Sequence, residues 1–312
     1  LMLGSGWLGE SWQKGSSMFI AIFRLRIYDA NNTVIEFTTG DGNNWAYNPD
    51  SPVVDENLYN GETYDARKKV DDWSSAQCKA CATWPAPKTA AHSVGSPLLS
   101  SQLMPAIEAV DEIKPRSMWA TASGSYIFDF GINYAGWARL QVTGKAGTSV
   151  SMHWAESIMH PPYGQEDGTL YYANMRNAKT TDTYILRGDA NGETFEPHFT
   201  YHGGRYVEVT GFPGVPTLSS LTGIVAHTAV PTIGSLSISN GLLDRIHQNV
   251  VNVALMNLYG IPTDCPQRDG TLTFLTFLLL SSLTHSLTFV CFLHLHHNHR
   301  TQRMDGRCSI GK

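Results

Sequence analysis

The sequence predicts a mainly β protein, with two antiparallel, jelly-roll-like β-sandwich domains followed by one helix. From Met18 to about Val225, apolar residues fall in short runs that alternate with polar residues, as they do on half-buried strands. Glycine, proline and asparagine interrupt these runs at short intervals, which is typical of sandwiches built from hairpins. A helical spacing of apolar residues appears only after Ser239.

The first strands are predicted between Met18 and Thr39, where two β-rich runs are joined by Asp29–Asn32. Asn and Asp tolerate the left-handed backbone of a tight turn, so this segment predicts a hairpin. Alternation returns over 140–142 and 150–154, on either side of a glycine-containing turn at 144–147. These strands predict a buried face that holds every second side chain.

A loop and then a helix complete the pattern. The stretch 85–105 is rich in Pro, Ser and Ala, which favours a loop or a domain crossing. Further on, apolar residues recur at three- and four-residue spacings, namely Leu242, Leu243, Ile246, Val250, Val253, Ala254 and Leu258. Ser239 or Asn240 can cap this helix, and Gly260 can end it. A single helix cannot bury its own apolar stripe, so an all-helical domain is expected to follow.

Composition limits the partners. The 312 residues carry a net charge of −5 and a pI near 6.2. Nucleic acid and anionic membranes are therefore not expected as partners. The expected partner is a neutral or polar small molecule. The pair Cys78 and Cys81 lacks a second CxxC to complete a zinc site, and we interpret it as incidental. The chain opens at Leu1 without signal-peptide features, which predicts a fragment at its start and leaves the compartment unassigned.

Four stretches, in this order, carry a resemblance to a known family: "FDFGINYAGWARLQVTGKAG", "AKTTDTYILRG", "FEPHFTYHGGRYVEVTG" and "IPTDCPQRD". Together they resemble the bacterial and fungal α-L-rhamnosidases, which are inverting glycoside hydrolases. The earlier "LYNGETYDAR", followed by Trp73, is similar to the sandwich domain that precedes these stretches in that family. The resemblance covers about Leu1 to Asp269.

The resemblance implies an order of domains. In the family, a sandwich similar to a carbohydrate-binding module is followed by a second sandwich, an (α/α)6 barrel with the active site, and a C-terminal β domain. We therefore expect a first β-sandwich at 1–115 and a second, concanavalin-like one at 116–228. The start of the catalytic barrel is expected at 229–269, and an aberrant apolar, His-rich tail at 270–312.

The same resemblance implies that a catalytic group is missing. In relatives the "IPTDCPQRD" loop continues into the glutamate that acts as general acid, and Gly270 takes its place here. Inverting hydrolysis needs a carboxylic acid and a second carboxylate roughly 6.5 to 9.5 Å apart. The family's base lies far downstream, in helices that we expect this chain to lack. We therefore expect no catalytic residue and no hydrolysis by this polypeptide.

Asp264 and Arg268 match the family positions that hold hydroxyls of the rhamnose ring. A carboxylate and a forked guanidinium read paired hydroxyls directionally, which makes these two residues the substrate-binding candidates. The alternative is that, in this chain, both are solvated loop residues.

Calcium is suggested in the first sandwich. The run "DENLYNGETYDAR" offers oxygen ligands of the kind that calcium prefers, and Asp55 and Asn57 are the candidates. Some family members use the equivalent module to bind terminal rhamnose through calcium. The alternative is that these acids belong to turns, with Glu62 or Asp65 buried and joining loops by hydrogen bonds.

The run from Thr271 to Leu295 has no charged residue apart from two histidines. One hypothesis is a transmembrane helix, because about 20 apolar residues span a bilayer. The other is translated non-coding sequence, such as a retained intron. We favour the second because a membrane span inside a catalytic loop would destroy the packing that the upstream helix needs. A membrane partner is therefore not expected.

The function favoured by these observations is that of an α-L-rhamnosidase fragment. The parent activity would be hydrolysis of terminal α-L-rhamnose from glycosides with inversion, with rhamnose-containing glycosides as partners and calcium as the one metal suggested. The alternative is a non-catalytic carbohydrate-binding or structural β-sandwich protein. The missing glutamate at position 270 and the missing barrel favour the non-catalytic alternative for this polypeptide. For the gene that encodes it, the α-L-rhamnosidase is favoured.

Overall fold

The computed structural model describes residues 2–4, 6, 24–28, 30–31, 33–38, 45–88, 102–161 and 164–267. Its strands are β1 (Arg24–Tyr28), β2 (Val34–Thr38), β3 (Val53–Asn57), β4 (Gly61–Asp65), β5 (Ile107–Ile113), β6 (Ser117–Ala120), β7 (Tyr126–Val142), β8 (Ser149–Ala155), β9 (Ser157–His160), β10 (Gln165–Tyr171), β11 (Thr181–Ile185), β12 (Glu193–Phe195), β13 (His202–Thr210), β14 (Leu221–Thr228), β15 (Leu258–Tyr259) and β16 (Ile261–Pro262). The α-helix, α1, is Gly241–Met256, and short 3-10 turns lie at Ala66–Lys68, Ala80–Thr83, Ala173–Met175 and Leu218–Ser220.

One large sheet organises the described chain. Its strands follow the order β3-β4-β11-β8-β13-β7-β14-β5, and β6 and β12 also pair with β7. The 17-residue strand β7 pairs with β6 over Tyr126–Asp129 and with β14 over Gly136–Leu140. Strand β7 thus has two successive neighbours on one edge, whereas β13 pairs with it from Tyr126 to Gly136. Gly136, where the pairing with β14 begins, has a φ of +146°, and a Cβ atom there would lie 1.9 Å from the Ile224 carbonyl oxygen, so only glycine fits.

The buried core of the sheet confirms the predicted alternation. Strand β7 contributes Leu140 and Val142, and β8 contributes Val150, Met152 and Trp154, all of them at most 4% exposed. They pack in one cluster with Phe128, Tyr134, Val207 and Leu221. Burial of such side chains contributes roughly 1.5–3 kcal/mol each. Strands β7 and β8 are not neighbours, however, because β13 lies between them.

The predicted first hairpin is present. Strands β1 and β2 pair antiparallel, with Tyr28 opposite Val34. Asp29 and Asn32 of its turn, and most of the predicted 85–105 loop, lie outside the described residues.

A second hairpin, β3–β4, extends the sheet in a way that the sequence did not predict. Strand β4 pairs parallel with β11, with Thr63 opposite Thr183, while every other described strand pair is antiparallel. The parallel pairing joins residues about 120 positions apart, so no local turn specifies it. The hairpin turn at 57–60 thereby comes close to β13.

The helix was predicted correctly at its start and too long at its end. Asn240 caps it, because its Oδ1 accepts the N–H groups of Leu242 and Leu243. The helix ends at Met256 rather than near Gly260, and Leu258 belongs to strand β15, which pairs with β16 around Gly260. The predicted apolar stripe is largely exposed, with Leu242 at 61% and Val250 at 62%. No helix in the described part of the chain is long and apolar enough to cross a membrane.

The interpretation of the cysteine pair as incidental is wrong. Cys78 and Cys81 form a disulfide across a tight turn. Cys81 lies in the 3-10 turn Ala80–Thr83 and Cys78 just before it, with their Cα atoms 5.4 Å apart, which is within disulfide reach.

Removal of the helix cap should loosen α1 without unfolding the sheet. We expect Asn240→Ala to destabilise the helix by ~1 kcal/mol, because the N–H groups of the first turn lose their acceptor. Amide hydrogen exchange within α1 should then become about fivefold faster. The control is Asn249→Ala at an exposed position in the same helix, which should slow exchange because Ala is the better helix former. Equal exchange rates in both variants would contradict the capping role.

Candidate functional site

The segment that contains the substrate-binding candidates is anchored to the end of the helix. The backbone N–H of Thr263 donates to the carbonyl of Asn257 at 2.8 Å, and its Oγ1 lies 3.2 Å from Asn257 Oδ1. Gly260, with a φ of +80°, closes the small β15–β16 turn. Its N–H donates to Thr228 Oγ1 at 2.9 Å, which joins the turn to the last residue of β14. This loop is therefore held at both the helix and the sheet.

A close backbone approach fixes the far end of the same loop. Pro266 and Gln267 are buried against Gly203 of β13. A Cβ atom added at Gly203 would lie 2.9 Å from Pro266 Cγ, so the glycine is what allows this approach. Asp264 is exposed just before this contact. Arg268 and Gly270, the other two predicted positions, lie outside the described residues.

A cluster of tyrosines packs against the start of the loop that carries Asp264. The rings of Tyr201 and Tyr259 stack with centroids 3.7 Å apart and planes 9° apart, and Tyr59 approaches Tyr201 at 5.9 Å. Leu58, Ala135, Ala178 and Met256 complete the cluster. Burial raises the pKa of Tyr259, with a smaller contribution from Tyr201. The three rings pack against one another as apolar surfaces.

The calcium candidates lie near this cluster. Asn57 Oδ1 accepts the backbone N–H groups of Tyr59, at 3.1 Å, and of Asn60, at 2.8 Å. The turn also contacts the segment before β11, since the Tyr59 carbonyl accepts from the backbone N–H of Thr180. Asn57 thus shapes the turn that presents Tyr59 to Tyr201. The structure brings this turn and the Asp264 loop to the same tyrosine cluster.

The donor set around Asp55 and Asn57 is small for calcium, which takes six to eight oxygen ligands. Asp55 is exposed on β3, while the Asn57 amide oxygen is already used by the turn. Within the described residues, no group of three or more His, Cys, Asp or Glu side chains is placed to hold one metal ion. Calcium therefore stays a prediction, and no step of the proposed function is routed through it.

Glu62 takes the structural role offered as the alternative. Its side chain is buried, and its Oε2 accepts the backbone N–H groups of His198, at 2.8 Å, and Phe199, at 3.1 Å. His198 Nδ1 donates to Oε1 at 2.9 Å. A buried carboxylate is tolerated only when such donors replace its hydration. Glu62 therefore fastens strand β4 to the segment before β13.

A second buried carboxylate continues this network. Asp182 Oδ1 accepts the backbone N–H of Glu62 at 3.0 Å, and its Oδ2 accepts from His202 Nε2 at 3.0 Å. The side chains of Asp182 and His202 are both completely buried. Strands β4, β11 and β13 are thus joined by side-chain hydrogen bonds across the sheet.

Asp65 is buried, as the alternative predicted, but its side chain bonds to Arg67 two residues away rather than joining two loops. It accepts from Arg67 N at 3.1 Å, Nε at 2.9 Å and Nη2 at 2.8 Å. These hydrogen bonds with Arg67 hold the pKa of Asp65 below its usual range, against the opposing effect of burial.

The sequence alone could not reveal His198 and Asp182 as partners of Glu62, or His202 as the partner of Asp182. The hydrogen bonds of Glu62 join residues 120 and 136 positions apart, and hydrophobic periodicity carries no information about such contacts. Polar residues at inward positions of strands are the one signal that was present, since a buried polar side chain needs a partner.

Comparison with known proteins places this arrangement in one family. Residues 2–111 match the α-L-rhamnosidase N-terminal domain. Residues 120–227 match the bacterial α-L-rhamnosidase concanavalin-like domain. Residues 231–291 match the bacterial α-L-rhamnosidase 6 hairpin glycosidase domain.

Individual relatives of this chain are also α-L-rhamnosidases. An α-L-rhamnosidase of Streptomyces avermitilis is 38% identical over 243 residues, which is 76% of this chain and 23% of the relative. One of Formosa agariphila is 28% identical over 281 residues, covering 86% of this chain and 28% of the relative. The chain thus spans about a quarter of the length of these curated relatives.

Solved structures give the same answer. The α-L-rhamnosidase of Streptomyces avermitilis complexed with L-rhamnose matches with a TM-score of 0.71 and 37% identity, over 80% of this chain and 23% of that one. The α-L-rhamnosidase of Dictyoglumus thermophilum matches with a TM-score of 0.71 and 38% identity, over 80% of this chain and 27% of that one. The α-L-rhamnosidase of Aspergillus terreus matches with a TM-score of 0.66 and 30% identity, over 80% of this chain and 28% of that one.

The β-rich fold and the matched domains define the N-terminal portion of a glycoside hydrolase, with one helix at the C-terminal end of the described residues. The chain belongs to the bacterial α-L-rhamnosidase family.

Replacement of Glu62 tests whether the buried network holds the hairpin. We expect Glu62→Gln to lower the free energy of unfolding by about 2 kcal/mol, because the amide replaces one of the two accepting oxygens with an NH2 group that faces donors. Urea unfolding followed by tryptophan fluorescence measures the change. Glu108→Gln, at an exposed position of β5, is the control and should change stability by less than about 0.5 kcal/mol. A similar loss in both variants would show that the network is not specific.

Asp65 should contribute to the pH dependence of stability. Its pKa in the folded protein is lowered, so its contribution is present above the unfolded-state pKa of about 3.9 and disappears as pH falls through the folded-state value. We expect Asp65→Asn to melt below the wild type at neutral pH, with the difference narrowing below about pH 4. The measurement is the melting temperature of both proteins at a series of pH values from neutral to below pH 4. A difference that is constant with pH would contradict the ion-pair explanation.

Proposed function

We propose that this chain supplies the sugar-positioning sandwich domains and the first active-site loop of an inverting α-L-rhamnosidase. In that enzyme, terminal α-L-rhamnose would be hydrolysed from glycosides with inversion of configuration. The observation that carries the proposal is the loop 257–267, which is held by Thr228, Asn257 and Gly203 within the stretch that matches the glycosidase domain. A loop fixed at three points can hold a sugar ring in one orientation.

Asp264 is the residue of this loop that we assign to the sugar. Its carboxylate is exposed, and the buried Pro266 and the Thr263–Asn257 hydrogen bonds fix the backbone on either side. A carboxylate accepts hydrogen bonds from two neighbouring hydroxyls of a pyranose ring. Arg268 is assigned as its partner on the resemblance alone.

The 312-residue polypeptide should not catalyse hydrolysis by itself. Gly270 cannot donate a proton, and the described residues near Asp264 offer no pair of facing carboxylates. The polypeptide would then act as a non-catalytic carbohydrate-binding protein, which is the alternative function. The core of the described residues supports that alternative, since it is formed by strands of the sheet that precede the helix.

The test is an assay of the purified chain with an aryl α-L-rhamnoside. We expect release of the aryl alcohol at the rate of the uncatalysed reaction, because no acid–base pair is in place. The α-L-rhamnosidase of Streptomyces avermitilis serves as the positive control. Turnover that is abolished by Asp269→Asn would show that Asp269 is the general acid and would overturn the assignment.

A further inference from the structure

An open cleft of about 480 Å³ lies at the end of strand β7, between β12 and the segment 212–220. Gln141, Thr143, Asn191 and Thr194 line it with exposed amide and hydroxyl side chains. Phe212 and Val215 form an apolar wall opposite them, and Val215 is 74% exposed. The cleft therefore combines neutral hydrogen-bonding groups with an apolar surface.

The cleft carries no available charge. Of the described residues that line it, Glu193 alone is ionisable, and its side chain is committed elsewhere. Its carboxylate accepts from Tyr184 Oη at 2.8 Å and from the backbone N–H groups of Arg187 and Gly188, both at 2.9 Å. A neutral ligand therefore fits the cleft better than an ion does.

The polar strip continues from the cleft along one face of the sheet. Gln141 lies directly opposite Thr194, so both side chains project from the same face. Arg139 and Trp137 follow at two-residue steps on that face. The distance from Trp137 to Gln141 along the strand is about 13 Å, which suits a ligand of two or three sugar rings.

The charges on this strip are paired. Trp137 Nε1 donates to Glu196 Oε2 at 2.7 Å, and Arg139 Nε donates to Glu196 Oε1 at 2.6 Å. Arg139 Nη1 also donates to Glu112 Oε1 at 2.7 Å. These contacts hold the half-buried indole in place and neutralise the guanidinium. An aromatic ring fixed beside neutral donors and acceptors is a surface for the C–H face of a sugar.

We propose that the cleft at Gln141, Asn191 and Thr194, extended by Trp137, binds a neutral saccharide. The apolar wall and the indole contact the C–H faces of the rings, while the amides and hydroxyls exchange hydrogen bonds with the sugar hydroxyls. The binding requires neither hydrolysis nor a metal ion.

The test is isothermal titration calorimetry of the full chain with rutinose, a neutral rhamnosyl-glucose, and with maltose, both in excess EDTA. We expect at least one disaccharide to bind, and the double variant Gln141→Ala, Asn191→Ala to weaken that binding about tenfold through the loss of two amide side chains. The control is Gln77→Ala, an exposed glutamine outside the cleft, which should leave binding unchanged. Circular dichroism checks that all variants keep their β structure.

Two results would overturn the proposal. One is the absence of binding by either disaccharide, with or without EDTA. The other is binding that EDTA abolishes and the double variant leaves unchanged, which would assign the sugar to the Asp55 and Asn57 region. Because the readout is binding, the result is independent of whether the chain hydrolyses rhamnosides.

Discussion

The buried carboxylate of Glu62 is the interaction on which the rest of the architecture depends. A charged group in the interior is very unfavourable unless hydrogen bonds replace its water. Glu62 meets this condition through three donors from the segment 198–199. Its own backbone N–H is held by Asp182, which in turn binds His202. The hairpin β3–β4 can therefore occupy only one register against β11.

This register has consequences at a distance from Glu62. It places the turn after Asn57 so that Tyr59 meets Tyr201, and Tyr201 stacks on Tyr259 of the loop that follows the helix. The position of Asp264 is thus linked by packing to a hairpin some two hundred residues earlier in the chain. The two regions that the sequence suggested as sugar-binding are not independent modules, because both rest on one aromatic cluster.

Local patterns predicted the parts of the fold that depend on local physics. Alternation located Leu140, Val142 and Met152 in the core, and the helical spacing with its Asn240 cap located α1. The parallel pairing of β4 with β11 and the partners of Glu62 depend on contacts more than 100 residues apart, for which periodicity has no signal. The helix end was misplaced because Leu258 continues the apolar spacing, whereas Asn257 and Thr263 form the competing turn. The need for glycine at position 203 could not be predicted either, because it comes from the close packing of Pro266 in the folded chain.

Helix α1 is held at its end rather than along its face. Asn252 Nδ2 reaches the carbonyl of Asn133, and Met256 enters the tyrosine cluster, whereas Leu242 and Val250 remain exposed. Packing along the apolar stripe therefore contributes little to the position of the loop that follows. That position comes instead from contacts to the sheet at Thr228 and Gly203. The sheet contacts and the hydrogen bonds between Asn257 and Thr263 together present Asp264 in a fixed place. The orientation of the proposed sugar is thereby separate from the chemistry that would act on it.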